Sequence, residues 1–390
     1  MKSLLRLPDR EDFLSNYLEK RPLLLKSAAL EIPFLLADLE SILHAINAQP
    51  PRVNVFLKGV IHWSYYAQSR GDPDIASEFR FDPGKLQALL RQGATLSLNK
   101  IHRLSPAIAA QCGEVSALLG QSPVTANGYL CMGGDGSFGA HWDTHDVFAV
   151  QLIGRKRWQI FEPTHVLPLD FETSQTQKAK RPAMPIMDLT LERGDILYLP
   201  RGWWHDTEPL PGTSFHVAIG VHPPKVIDYA TWVCTQKLPD YLVARKSFQK
   251  ENNLNDLGKT LADLIVNAEI QSEYLLLTQK KRRSNSSFDL SYLISPNEMR
   301  GGNLSLYLNS TYFQINEAAA IVNGNIIGID KEACDILKVV EKHPGILMTE
   351  LSAKLDGGDR EINMYLTDLV NVDILNTGVP GITGRADHIK

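Results

Sequence analysis

The stretch Gly139-Ala140-His141-Trp142-Asp143-Thr144-His145 groups residues whose types suit metal binding. In an extended strand, residues i and i+2 point to the same face. His141 and Asp143 can then offer an imidazole nitrogen and a carboxylate oxygen to one ion. A third ligand has to come from another strand. The candidate is His205, 62 positions after Asp143, at the end of Asp195-Ile-Leu-Tyr-Leu-Pro-Arg-Gly-Trp-Trp-His205. Two histidines and a carboxylate cover one face of an octahedral ion and leave the other positions free. That suits non-haem Fe(II), which has to take up a cosubstrate and oxygen together. An HxD triplet alone is a weak signal, because polar residues on a wet strand face produce it by chance, so its weight depends on other segments agreeing.

Three further segments do agree. In Arg155-Lys156-Arg157-Trp158-Gln159-Ile160-Phe161 the wet face carries Arg155, Arg157 and Gln159, and the other carries Lys156, Trp158 and Ile160. A lysine among inward apolar residues is costly unless it meets an anion, and a dicarboxylate would be such an anion. The bland alternative is an end-of-strand lysine whose head reaches solvent. In Val124-Thr125-Ala126-Asn127-Gly128-Tyr129, the polar Thr125, Asn127 and Tyr129 share one face. In Phe215-His216-Val217-Ala218-Ile219-Gly220, His216 shares a face with the small Ala218 and Gly220, which leaves room for a bound molecule. Together these patterns describe a barrel with a polar, metal-containing mouth.

The elements that have to position these residues are short strands. From Ala94 onward the chain runs through ATLSLNKI, VTANGYLCM, DVFAVQLI, KRWQIF, DILYLP and SFHVAIGV, separated by turn residues at Gly133–Gly134, Gly154, Gly194–Asp195, Arg201–Gly202 and Pro211–Gly212. Many short strands with such punctuation predict an antiparallel sandwich or barrel at about residues 90–225. Helical spacing precedes it at 9–20 and from Pro83 to Leu90, within a mixed N-terminal region, 1–89. Residues 226–280 read as helical, part of a helical region assigned to 226–324. The basic run from Lys280 reads as a solvated loop. At the C-terminal end, Glu332–Lys342 is amphipathic. Thr349 is the expected cap of a short helix to Leu355 and Asp359 that of a third, with a β-like tail after it. Three helices and a hairpin predict a winged helix at 325–390. The third helix offers Arg360 against Asp359, Glu361 and Asp368, so sequence-specific DNA binding is not expected.

Composition sets the outer limits. The 390 residues suggest two or three domains, and 40 Lys and Arg against 44 Asp and Glu give a net charge of −4. That balance weighs against a protein built to coat nucleic acid or an anionic membrane. The four cysteines form no CxxC pair, which rules out a zinc ribbon and weighs against a disulfide scaffold. The N-terminus lacks a signal-peptide pattern and no apolar run is long enough to span a membrane, so a cytoplasmic location without membrane partners is expected.

HWD, GRKRW and PRGWWH, with their spacing, resemble the JmjC-type 2-oxoglutarate oxygenases, and specifically the cupin-like ribosomal oxygenases. The N-terminal DFLSNYLEKRPLLL and the layout of the rest extend the resemblance over most of the chain. The resemblance implies an α+β fold: a double-stranded β-helix of the jelly-roll or cupin type, a helical dimerisation region and a C-terminal winged helix, in a homodimer. It implies Fe(II), 2-oxoglutarate as cosubstrate and molecular oxygen, used to hydroxylate a side chain of a ribosomal protein. By position, His141, Asp143 and His205 match the iron ligands. Lys156 matches the residue that pairs with the far carboxylate of 2-oxoglutarate, and Asn127, Tyr129 and His216 match pocket residues. Bacterial arginine hydroxylases of this type carry arginine where Lys156 stands, whereas lysine resembles the eukaryotic histidine-hydroxylating branch. Arginine and histidine therefore both stand as targets. His145, two residues past Asp143, is expected on the pocket wall facing substrate.

Other motifs carry less. The glycine-rich Gly133–Gly139 lacks the GK[ST] ending of a phosphate loop and is expected to form a flexible lip of the site. Trp203 and Trp204 fit core packing or the substrate entrance. Competing functions are a JmjC-type oxygenase of another substrate, either a demethylase or a peptide-tailoring enzyme, and a non-enzymatic cupin-type binding protein.

Overall fold

The computed structural model describes residues 4–29, 32–69, 79–120, 122–134, 139–248 and 254–280, and most of 305–378 in short stretches. The chain divides into two compact units, residues 2–222 and 223–390.

In the first unit an eight-stranded antiparallel sheet has the order β1-β11-β8-β13-β7-β6-β2-β3. Its strands are β1 (Leu23–Leu25), β2 (Val53–Phe56), β3 (Val60–Ile61), β6 (Thr95–Leu98), β7 (Val124–Cys131), β8 (Asp146–Ile153), β11 (Ile196–Leu199) and β13 (Ser214–Val221). A second antiparallel sheet has the order β10-β9-β12, from β9 (Arg155–Phe161), β10 (Met187–Glu192) and β12 (Trp204–Pro209). A small pair, β4 (Ala67–Ser69) and β5 (Phe79–Phe81), completes the strands described here. Ala149, Leu197 and Leu199 of the large sheet form one apolar cluster with Trp158, Ile160 and Leu191 of the small one, so the two sheets pack face to face. Strands β8 and β13 are buried on both faces and read as near-continuous apolar runs. On the outer face of the large sheet, Phe13 of α1 (Arg10–Asn16) packs edge-on to Tyr198, with ring centroids 4.8 Å apart, and against Phe148 at 5.7 Å.

The alternation in β9 survives folding. Lys156, Trp158 and Ile160 are buried, while Arg157 on the wet face pairs with Asp188 and Glu208. Gly154 turns the chain between β8 and β9 at φ +63°, and a Cβ there would meet the Thr213 carbonyl oxygen at 2.0 Å, so only glycine fits.

The strand β10 and the helix α4 (Pro106–Leu118, capped by Ser105) do not figure in the sequence reading. β10 alternates Met187, Leu189 and Leu191 with Asp188, Thr190 and Glu192, a period-two signal that could have revealed it, whereas the apolar residues of α4 do not separate into one helical face.

In the second unit, α5 (Val226–Trp232), α6 (Asn255–Val266) and α7 (Ala268–Lys280) agree with helical spacing. Between 305 and 322, inside the region assigned as helical, three strands appear: β14 (Ser305–Leu308), β15 (Phe313–Ile315) and β16 (Ala319–Val322); β17 (Asn325–Gly328) opens the stretch assigned to the winged helix. Further on, α8 (Lys331–Lys342), α9 (Met348–Ser352) and α10 (Asp359–Asn371) bury Ile336, Leu337, Leu351, Ile362 and Leu366 in one cluster with Leu306. The second of these begins at Met348 rather than after Thr349, because Glu350 accepts the Leu347 N–H at 3.3 Å and starts the turn earlier. Asp359 is likewise the first helical residue of α10. The tail strand β19 (Leu375–Gly378) pairs with β14, which also pairs with β18 (Ile346–Leu347). Most of the basic run after Lys280 and of the Gly133–Gly139 loop lies outside the described residues. Among the described residues no helix is long and apolar enough to cross a membrane.

Candidate active site

His141, Asp143 and His205 come together, each with a potential ligand atom within 4.8 Å of the others. The route differs from the one that spacing suggests. The two histidines meet in an isolated two-residue antiparallel bridge, with His141 N–H to His205 O at 3.0 Å and His205 N–H to His141 O at 2.8 Å. Asp143 lies past the bridge in irregular backbone that precedes β8, so the HxD triplet is not one strand face. Its carbonyl accepts the Gly202 N–H at 3.0 Å, which ties the two ligand-bearing segments together again. Trp142 and Trp204, each adjacent to a ligand, are buried in a small aromatic cluster behind the bridge.

Each histidine is oriented by the carbonyl two residues before it. His141 Nδ1 lies 2.9 Å from Gly139 O and His205 Nδ1 lies 3.1 Å from Trp203 O. A carbonyl only accepts, so each Nδ1 carries the hydrogen and Nε2 is the ring nitrogen that can serve a metal. Burial pushes the His205 pKa down to about 4, with neighbouring His141 adding to the effect, which keeps that ring neutral at physiological pH. Burial pushes the Asp143 carboxyl up, but His205 and His141 outweigh it and hold it below its ordinary value. Two imidazoles and a carboxylate are a fitting donor set for a divalent iron ion.

Lys156 is 1% exposed, and among the described residues no carboxylate or hydrogen-bond acceptor meets its ammonium. Burial lowers its pKa. Two other buried polar atoms nearby lack partners, Trp158 Nε1 and His216 Nδ1. The Trp158 ring stands edge-on to His216 at 5.3 Å and stacks with His205 at 6.0 Å. Across the β9–β12 pairing His205 faces Ile160, four residues from Lys156, or about 13 Å of strand. A metal-binding end and a cationic end thus share one inner face. A small dicarboxylate fits those unpaired groups.

The large sheet supplies the opposite wall. Directly paired residues across an antiparallel sheet share a face, and the register aligns Asn54, Ser97, Tyr129, His216 and Gln151 in one polar row. Tyr129 stacks on His216 with centroids 5.0 Å apart. Burial raises the Tyr129 pKa to about 12 and the nearby Asp143 adds to this, so the hydroxyl keeps its proton. Asn127 accepts the Lys100 N–H at 3.0 Å and also bonds Tyr129. Ala218, in register with Asn127, is partly exposed and puts only a methyl group on the inner face, whereas its neighbour Ala149 is packed against Trp158. Of these, Asn127, Tyr129 and His216 were expected from sequence, whereas Asn54, Ser97 and Gln151 were not. The alternation of Thr95 and Ser97 with Leu96 and Leu98 carries the same signal and could have revealed Ser97. His145 lies outside the ligand set; its ring packs against His222 at 4.6 Å. Gly220 makes room for it, since a Cβ there would come within 2.6 Å of the His145 ring. His222, two residues past Gly220 on the same strand parity, was also missed.

Residues 104–229 match the model of the JmjC domain family. That stretch, under half of the chain, is similar to JmjC domains. It carries the HxD…H cluster on a mixed α+β fold with a cupin-like sheet core. Over the whole chain the fold is similar to a crystal structure of the Escherichia coli ribosomal oxygenase YcfD. The TM-score is 0.62 at 18% identity, covering 97% of this chain and 100% of that one. YcfD in complex with cobalt and 2-oxoglutarate matches with a TM-score of 0.55 at 17% identity, over 96% of this chain and 99% of that one. In sequence, a 103-residue segment is 43% identical to the bifunctional lysine-specific demethylase and histidyl-hydroxylase NO66 of Drosophila persimilis, covering 25% of this chain and 14% of that protein. A 98-residue segment is 40% identical to ribosomal oxygenase 1 of Danio rerio, covering 24% and 18% respectively. These matches span less than a fifth of each curated relative.

Proposed function

We propose that this protein is an Fe(II)- and 2-oxoglutarate-dependent hydroxylase acting on an arginine or histidine side chain of a ribosomal protein. One observation carries the reading: a buried, unpaired lysine shares an inner face with a two-histidine, one-carboxylate cluster. His141, Asp143 and His205 would hold the metal and leave the remaining positions to cosubstrate and oxygen. Lys156 would pair with the far carboxylate of 2-oxoglutarate, with Asn127, Tyr129 and His216 lining that end. Bound iron would bring 2-oxoglutarate and molecular oxygen together; oxygen would be the oxidant, one of its atoms going to succinate as the cosubstrate loses CO2 and the other to an unactivated C–H bond of the target. The chain's own residues orient and exclude. The carbonyls of Gly139 and Trp203 hold the imidazole tautomers, Trp158 separates the metal end from the cationic end, and the apolar contact between the two sheets keeps water from the rear. His145 and His222 stand on the side of the site left for the target side chain.

The finer divisions belong to the same proposal. Residues 90–225 form the catalytic double-stranded β-helix, supported by 1–89. Residues 226–324 make a homodimer, and the winged helix at 325–390 widens the surface for a large protein substrate rather than reading DNA. The test is succinate release by the purified chain with Fe(II), 2-oxoglutarate and ribosomal proteins, read beside mass spectrometry of those proteins. Metal-dependent succinate release with a gain of one oxygen on an arginine or histidine supports the reading. Absence of both, or a gain on another residue type, overturns it.

A further inference from the structure

The segments that lead into β8 and β12 and carry Asp143 and His205 are joined from the side opposite the pocket. Asp146 opens β8 three residues after Asp143, and Arg201 precedes His205 by four. Val147 pairs with Gly220 on the inner face, so its neighbour Asp146 points outward, where it is only 6% exposed beneath the N-terminal segment. One Asp146 oxygen accepts the Arg201 backbone N–H at 2.9 Å and the other accepts the Tyr198 hydroxyl at 2.7 Å. The Tyr198 oxygen accepts the Glu19 N–H at 3.0 Å. The Glu19 carboxylate in turn accepts Arg201 Nη2 at 2.7 Å and Nε at 3.1 Å, which closes a ring of four residues. Arg201 Nη1 extends it to the Pro168 carbonyl at 3.1 Å. Glu19 sits at φ +56°, a left-handed conformation that a residue with a side chain adopts at a cost, and it is that conformation which aims both its N–H and its carboxylate into the ring.

Plain stability does not require this arrangement, since apolar residues can serve a buried face as well as buried charges do. What the ring adds is direction. Its central carboxylate bonds to the backbone of one ligand-bearing segment while belonging to the other. We propose that Asp146, through the Asp146–Tyr198–Glu19–Arg201 ring, is a positioning residue for the metal centre, so that the N-terminal segment sets the spacing of Asp143 and His205. This rests on the reading of His141, Asp143 and His205 as metal ligands.

The test is Co(II) titration of the full chain, read by affinity and visible absorption spectrum, for Asp146→Asn, Tyr198→Phe and Glu19→Gln. Asp195→Asn is the control. That buried carboxylate also ties down the N-terminal segment, through Lys26 and the Ser27 N–H, but touches neither ligand-bearing segment. Asp146→Asn is expected to weaken Co(II) binding about tenfold and alter its spectrum. Tyr198→Phe and Glu19→Gln should do so to a lesser degree and carry the test if Asp146→Asn fails to fold. Asp195→Asn should lower the thermal midpoint with affinity and spectrum unchanged. Wild-type affinity and spectrum in the ring variants would overturn the proposal, as would an equal change in Asp195→Asn. A wild-type chain that takes up no Co(II), or takes it up undiminished in His141→Ala, would overturn the metal-ligand reading itself and the positioning role with it.

Discussion

Asp195 and Lys156 are both 1% exposed in the same unit, yet their surroundings are opposite. Asp195 accepts from the Lys26 ammonium, the Ser27 N–H and the Glu192 N–H. Lys156 has no such partner among the described residues, and the buried Trp158 Nε1 and His216 Nδ1 beside it are unpaired too. A buried charge that serves the fold is surrounded by groups that repay its desolvation. A buried charge left alone marks the place where something outside the chain completes the set. The contrast separates structure from function within one hydrophobic unit.

The widest gap should lie in turnover. Asp143→Ala is expected to reduce 2-oxoglutarate decarboxylation to background in a folded protein. Asp195→Ala should lose about 3 kcal/mol of stability, with two backbone N–H groups left behind, yet keep its cosubstrate affinity. Chemical denaturation beside a succinate assay measures both, and a turnover-dead Asp195→Ala of normal stability would break the contrast. Next in size, Lys156→Ala should weaken 2-oxoglutarate binding by about 1.5–3 kcal/mol, the worth of a charge-assisted hydrogen bond, with metal affinity nearly unchanged. Isothermal titration with each ligand checks this; an unaltered 2-oxoglutarate constant would remove Lys156 from the pocket.

Acidification should distinguish the two regions again. The His205 pKa is about 4 in the fold and 6.5 outside it, so the unfolded chain binds more protons between those values. Stability of the metal-free protein is therefore present above about pH 6.5 and lost as pH falls towards 4, by about 2 kcal/mol at pH 5. His216, lowered well below its ordinary value by burial and then by Lys156, acts in the same direction. For Asp195, burial is outweighed by its hydrogen bonds and the pKa is lowered, so its contribution is lost only below the ordinary carboxylate range. Melting curves from pH 7.5 to 5 should fall for the wild type and for Asp195→Asn alike. A flat profile would contradict the assignment of neutral buried histidines. The smallest effect is the most diagnostic. Lys156→Met should raise stability by about 1 kcal/mol, since it removes an uncompensated buried charge, while it abolishes cosubstrate pairing. A clear loss of stability would mean that Lys156 serves the fold after all.

Much of the site was legible because its signals are local. Period-two alternation placed Lys156 with Trp158 and Ile160, and placed Thr125, Asn127 and Tyr129 on one face, since successive side chains of a strand leave on opposite sides whatever the strand pairs with. The same rule misplaced the reason for the metal cluster. His141 and Asp143 meet through a bridge and a turn, which depend on His205 and Gly202 far along the chain.

The amino-acid sequence by itself determined the ligand types, the inward lysine and the β-rich core between about 90 and 225. These follow from residue chemistry and short-range periodicity. The tertiary structure alone decided what depends on register and on contacts between distant segments. It aligned Asn54, Ser97 and Gln151 with Tyr129 and His216, set His222 against His145, and fixed the imidazole tautomers through carbonyls whose direction depends on the bridge. It also closed the ring from Glu19 to Arg201. Pairing of remote strands selects one register out of many with the same local pattern, because a slip of a single residue would exchange the polar inner face for the packed outer one.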